Sequence, residues 1–208
     1  IVAQTVNAFN KTKLGGLVSE KLIGIDRNAP KPKFYSQTAR KELKHYVNEP
    51  SLSNDDKAQK SVVLFATCYG NRNDPQVVKD TVVCFEKNNV PIVLTKTEKC
   101  CGMPKLELGD IDSVAKAKDI NVPELYNYAM GGHKIISTIP SCVLMFKQEL
   151  PLLFPSDEKV KAVAEAFMDP FDYLFQLEKQ GKLNKSFQES LGSIFYQVPC
   201  HLRVQSIG

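Results

Sequence analysis

No apolar run in this sequence approaches the ~18 residues that a membrane-spanning helix needs. C-x-x-C occurs nowhere, which removes the usual zinc-finger and ferredoxin spacings. The stretch FATCYGN (65–71) has the outline of a phosphate-cradling turn, but it carries too few glycines for a dinucleotide or P-loop site. No Ser/His/Asp set and no pair of carboxylates stands out, so nothing argues for a hydrolase. Six cysteines in 208 residues are too few for a disulfide scaffold, and a chain of this length does not require one. A reducing, cytoplasmic setting follows, with thiols available for metal or redox work. The aromatic residues are not interleaved with Lys and Arg as in a stacking platform, which argues against a nucleic-acid partner.

What is present is the composition of a globular protein, 43% apolar and 24% charged. The charge is uneven. Residues 1–60 hold 11 Lys/Arg against 6 Asp/Glu, whereas residues 61–208 hold 16 against 17. The basic excess therefore sits in the first quarter, as a solvated arm or as a contact for acidic lipid headgroups or an acidic partner. The N-terminal IVAQTVNAFNKTK lacks the order of a signal peptide and an initiator Met, and CHLRVQSIG does not read as a natural end. A fragment of a longer protein is the expectation.

Three regions are predicted: a basic arm at 1–60, an α/β domain at 61–190, and the start of a repeat at 191–208. RNAPKPK (27–33) interrupts the arm, GLVSEKLIG predicts a short helix with Leu17, Leu22 and Ile23 near one face, and NEPSLSNDDKAQK (48–60) reads as a linker. From Ser61 the pattern changes. SVVLFAT and VPIVLT are short continuous runs of β-formers, as in strands buried on both faces. Between them Asp74 predicts an N-cap, Pro75 a first helical turn, and Val78, Val82 and Phe85 a buried helical face. GDIDSVAKAKDI and VPELYNYAMGG predict two helices, and KIISTI a third strand. SCVLMFKQEL, SDEKVKAVAEAFM and PFDYLFQLEKQ predict helices, and SIFYQV a fourth strand. Strands alternating with helices imply a Rossmann-like, mostly parallel sheet flanked by helices, an α/β fold.

In open α/β sheets functional groups gather at the carboxyl ends of strands. Cys68, the Cys100-Cys101 doublet and Cys142 each follow a predicted strand within a few residues, so they are expected to converge on one rim. Adjacent cysteines are poor disulfide partners for each other but good joint ligands beside a site with several open positions. Four soft donors suit zinc or the iron of an iron–sulfur cluster. Cys142 enters a predicted helix behind Pro140 and Ser141, where the helix terminus favours a thiolate. Gly102 would let the backbone approach a bound group closely. Cys84, among Val82, Val83 and Phe85, reads as a packed core thiol, His133 as turn polarity and His45 as surface.

With 31 residues between Cys68 and Cys100, 40 between Cys101 and Cys142, and the stretches CCGMP, PSCVLMFKQELP and VPCHLRVQSIG, residues 61–208 resemble the cysteine-rich CCG domain family. That domain occurs twice in the B subunit of heterodisulfide reductase and in iron–sulfur components of glycolate and lactate oxidation systems. The variant looks most like the C subunit of anaerobic glycerol-3-phosphate dehydrogenase. NAFNKTKLGGLVSEKLIGIDRNAPKP also looks like the segment that follows a ferredoxin-type module there. The resemblance implies a complete first repeat, a truncated second one, and metal ligands at Cys68, Cys100, Cys101 and Cys142. The fuller motif ends C-x-x-C, whose last cysteine falls on Met145, a poor iron ligand, so a four-cysteine [4Fe–4S] site or zinc is implied rather than a five-cysteine cluster. Cys200 and His201 would open a second site.

The implied function is a non-catalytic iron–sulfur subunit passing electrons from a flavoprotein dehydrogenase of the glycerol-3-phosphate type to quinone or another membrane carrier. The chain would be cytoplasmic and peripheral at the inner membrane, in a setting of anaerobic respiration. Two other readings stay open on the residues alone: a zinc-bearing docking module, and a dithiol enzyme in which Cys100-Cys101 opens and closes as a vicinal disulfide.

Overall fold

The computed structural model describes residues 2–47 and 61–205. The expected linker at 48–60 lies outside the described residues. In the arm, α1 (Val2–Asn10) leads into α2 (Lys13–Ile23), and Thr12 caps α2 by accepting from the Gly15 N–H at 3.0 Å. The packed face of α2 is not the one the sequence suggests. Gly15, Gly16 and Ser19 are buried while Leu22 and Ile23 are exposed. The chain at Arg27 passes so close that a Cβ on Gly16 would lie 3.0 Å from its carbonyl oxygen, which only a glycine tolerates without a shift. The arm then forms α3 (Ala39–Glu42), capped by Thr38, and a 3₁₀ turn at Lys44–Tyr46.

The remainder runs β1 (Val62–Leu64), α4 (Cys68–Arg72), α5 (Pro75–Lys87), β2 (Ile92–Leu94), α6 (Met103–Glu107), α7 (Ile111–Met130) and β3 (Ile135–Ile136). Then α8 (Pro140–Leu144) passes through a π-helical turn at Met145–Glu149 into α9 (Leu150–Leu153). The chain continues with α10 (Glu158–Ala166), β4 (Phe167–Met168), α11 (Pro170–Lys179) and α12 (Cys200–Arg203). All strand pairs are parallel, in the order β2-β1-β3-β4. The fold is α/β, as the alternation of strands and helices implies.

Side chains alternate across the sheet, as the period of a strand requires. Val63, Phe65, Ile135 and Phe167 face α7, α10 and the helix that starts at Pro140, while Val62, Leu64, Ile136 and Met168 face α5 and α11. Both faces are therefore core, which is why the strands read as unbroken apolar runs. On the first face Phe65 meets Phe146 edge-on and Phe146 stacks on Phe167. On the second, Ala39 and Leu43 of the arm pack with Val78, Val82 and Phe85 of α5. Helix α5 matches its sequence signals, with the Asp74 carboxylate accepting from Val77 N–H and Pro75 at its first position.

Two expectations fail. The fourth strand is Phe167–Met168, not SIFYQV, and residues 193–198 form no strand among the described residues. Phe167 and Met168 lie at the end of a helical run, but β3 offers them an open edge, and pairing through Ile135 and Ile136 overrides the local pattern. Nor do two helices span 110–130. Helix α7 is continuous through Pro123. An interior proline costs a helix about 3 kcal/mol, and burial of Val114, Val122, Leu125 and Tyr128 against the sheet offsets it.

Candidate metal centre

The chain steps from β1 to β2 on one side and then crosses to β3 on the other, so a topological switch point opens beyond the carboxyl ends of β1 and β3. Such crevices are where ligands bind in open α/β sheets. Cys68 stands just past the end of β1, separated from it by Phe65, Ala66 and Thr67. Thr67 caps α4, accepting from Gly70 N–H at 2.9 Å, and holds φ at 66°, a left-handed value rare for a β-branched residue. A strained backbone of this kind is a common companion of function. Cys142 lies in the first turn of α8, beyond β3, and is buried.

The doublet comes from the loop after β2, whose backbone is held almost wholly by side chains. Asn121 of α7, buried, accepts from Lys99 N–H at 2.9 Å and donates to the Cys100 carbonyl at 3.2 Å. Glu124, one position past Pro123, accepts from Thr97 N–H at 2.9 Å and from Lys96 N–H. Glu98 reaches across to the first loop and accepts from Ala66 N–H at 2.9 Å. Gly102 then turns into α6 with φ +101°, a conformation that L side chains rarely adopt. Its conformation, rather than steric room, accounts for the glycine, because a Cβ there would meet its nearest neighbour, the Met145 methyl, at an ordinary 3.5 Å.

The three loops bring their thiols into contact as a series: Cys68 with Cys100, Cys100 with Cys101, Cys101 with Cys142. Cys68 also lies within electrostatic reach of Cys142. Hydrogen bonds from Cys101 first and Cys68 second hold the Cys100 thiol far down, to about 2, with the Gly102 N–H and Lys105 assisting. The same contacts raise Cys68 and Cys101, in each case through Cys100 first. All six cysteines are free thiols. Among the described residues no group of three or more His, Cys, Asp or Glu side chains is placed to hold a metal ion. The thiols pair in series, which is a different arrangement from donors directed at one point.

The donor set nonetheless fits a soft, multi-centre group. Its donors are all sulfur and come from three separate loops. The buried Oγ1 of Thr138, between β3 and Cys142, has no hydrogen-bond partner. Met145 is fully buried, with its methyl against Gly102, so it packs as core. Cys200 is exposed at the start of α12, and His201 is partly exposed beside it. That helix packs on α8, with Leu202 buried and the Gln205 amide donating to the Pro140 carbonyl at 3.3 Å. Cys84 is half-buried and packs against the core of the second face. His133 follows the turn at 131–132 and is buried, with Nδ1 at 2.9 Å from the Ser61 carbonyl.

Asn121, Glu124, Glu98 and Arg40 are the residues that sequence reasoning misses, because polar side chains acting on a backbone 20 to 60 positions away leave no local pattern. The doublet, its glycine and the two flanking thiols now have a place. Residues 62–147 match the cysteine-rich domain family CCG. The matched span contains Cys68, Cys100, Cys101, Cys142 and Met145. The chain is 25% identical over 202 residues to the C subunit of the anaerobic glycerol-3-phosphate dehydrogenase of Escherichia coli K12, covering 96% of this chain and 49% of that protein. It is 31% identical over 108 residues to the lactate utilization protein A of Bacillus cytotoxicus, covering 52% of this chain and 43% of that one. The chain thus spans about half the length of the curated relatives it matches. No solved structure matches. Among the described residues no helix is long and apolar enough to cross a membrane.

Proposed function

We propose that this chain is the CCG segment of an iron–sulfur electron-transfer subunit that serves a dehydrogenase, with Cys68, Cys100, Cys101 and Cys142 as ligands to a [4Fe–4S] cluster. The observation that carries the reading is the meeting of four thiols from three strand-end loops at the switch point of the sheet. The named relatives support it, being a dehydrogenase subunit and a lactate utilization protein. Such a cluster supplies one-electron exchange between redox states. The protein's part is to hold the sulfurs. Asn121 and Glu124 fix the doublet loop, Thr67 fixes the turn of Cys68, and the Phe65–Phe146–Phe167 cluster packs in the core of the same sheet face. The Thr138 hydroxyl, buried and without a partner, is a donor that a bound group could engage. The electron source would be a flavoprotein of the glycerol-3-phosphate type and the acceptor a quinone or another carrier. The basic arm would favour peripheral contact with an acidic inner-membrane surface.

Iron, zinc and acid-labile sulfide per chain, measured after anaerobic purification of the wild type and of Cys101→Ser, test this. Iron and sulfide in near-equal amounts, lost in Cys101→Ser with the α/β circular dichroism retained, are expected. Full iron in the variant would overturn the ligand assignment. Zinc without sulfide would make the domain a docking module, with no redox role.

A further inference from the structure

The arm and the doublet loop meet at a carboxylate that the thiol chemistry does not use. Glu98 lies two residues before Cys100, and its side chain is only 4% exposed. It accepts from Ala66 N–H at 2.9 Å, from the Thr67 N–H, and from Thr95 Oγ1 at 3.0 Å. Its charge is met by Arg40 of the arm, with Nη1 at 3.1 Å. Arg40 does more than neutralise. Nη1 also donates to Thr95 Oγ1 at 3.2 Å, and Nη2 donates to the carbonyls of Thr95 at 2.6 Å and Lys96 at 3.0 Å. The Arg40 backbone N–H donates to Asn71 Oδ1 at 3.0 Å, on the helix that begins with Cys68. Ala39, fully buried, and Leu43 anchor this part of the arm in the core.

We propose that Arg40 and Glu98 form a clasp by which the arm positions two of the three thiol loops against each other, the one carrying Cys68 and the one carrying Cys100 and Cys101. The geometry is specific. Glu98 bonds to the backbone of the first loop from within the second, and Arg40 bonds to the backbone of the second from a residue tied to the first. The third loop, with Cys142, is untouched by either. A planar guanidinium can serve a carboxylate, a hydroxyl and two carbonyls at once, which a lysine cannot. Removing Arg40 alone leaves a buried carboxylate without its cation, and breaking such a pair costs far more than replacing both members. The thiols so positioned are those assigned above as ligands, but the clasp concerns loop placement and is testable without metal.

Reduced, metal-free protein is alkylated with iodoacetamide, and each cysteine is timed by mass spectrometry. Cys84 on α5 serves as an internal monitor of global loosening. In Arg40→Met, diamide-driven Cys68–Cys100 pairing is expected to fall about tenfold or more and the alkylation rates of Cys68 and Cys100 to change, with those of Cys84 and Cys142 unchanged. Adding Glu98→Gln removes the stranded charge, so the double variant is expected to return toward wild-type rates, the reverse of additive damage. Unchanged rates at Cys68 and Cys100 in Arg40→Met would overturn the clasp. So would equal acceleration of Cys84, or a double variant worse than the single one. An iron-free wild type would overturn the cluster assignment and leave this result standing.

Discussion

Two of the irregular stretches of this molecule, 95–102 and 182–199, differ in how they are held. The loop at 95–102 is polar and charged, yet each of its turns is tied down, by Arg40, Asn121, Glu124 and the cross-loop bond of Glu98 to Ala66. The stretch at 182–199 is richer in apolar residues, yet Phe187, Leu191, Ile194, Phe195 and Tyr196 all stand exposed, Phe195 at 92%. Its entry is fixed by Asn184, which bonds the Asn88 side chain at 2.7 Å and the Lys87 carbonyl at 2.9 Å. What orders an irregular backbone is the pairing of its N–H and C=O groups, and an apolar side chain orders nothing until a surface receives it.

Breaking that contrast begins with Asn121→Ala. The loss strips partners from Lys99 N–H and the Cys100 carbonyl, and leaving buried backbone groups unpaired costs about 1–3 kcal/mol. Urea unfolding is expected to show it as a lower midpoint at unchanged slope. A midpoint equal to wild type would mean that water replaces the amide.

A pH-dependent effect of up to about 3 kcal/mol separates charge from hydrogen bonding on the same rim. Asp169 caps α11 through Phe171 N–H at 2.8 Å and is buried, which pushes its carboxyl up to about 6. Asp172 adds to the rise, while the Phe171 N–H and Lys147 oppose it. Because its pKa is raised on folding, its contribution to stability is greatest below the unfolded carboxylate value and is lost as pH rises through about 6. Asp169→Asn, which keeps the cap, is expected to be more stable than wild type at pH 7 and equal to it near pH 4. A constant difference across that range would deny the titration. Smallest of all, Phe195→Ser is expected to change stability by no more than about 0.5 kcal/mol. A larger loss would place that ring against something the exposed surface does not show.

The same contrast governs what could be read in the sequence. SVVLFAT, VPIVLT and KIISTI declare themselves because buried parallel strands are unbroken apolar runs, and their order placed the three cysteine loops on one rim. SIFYQV has a strand's composition but no partner, and β4 has a partner but a helix's composition. Pairing decides both, and pairing is not local. For the same reason the thiols were legible while Arg40, Glu98 and Asn121 were not. A cysteine doublet is rare enough to signal by itself, whereas an arginine 55 residues from the carbonyl it serves is one charge among many.

The spread of the thiols along the chain also sets a timetable for the newborn protein. Cys68 leaves the ribosome 74 residues before Cys142, an interval of about 4–15 s at ordinary synthesis rates. Until β3 has docked beside β1, the first three thiols stand without the fourth. During that interval they are exposed to oxidants and to stray metal ions, and the row of four thiols is complete only once the third loop has docked.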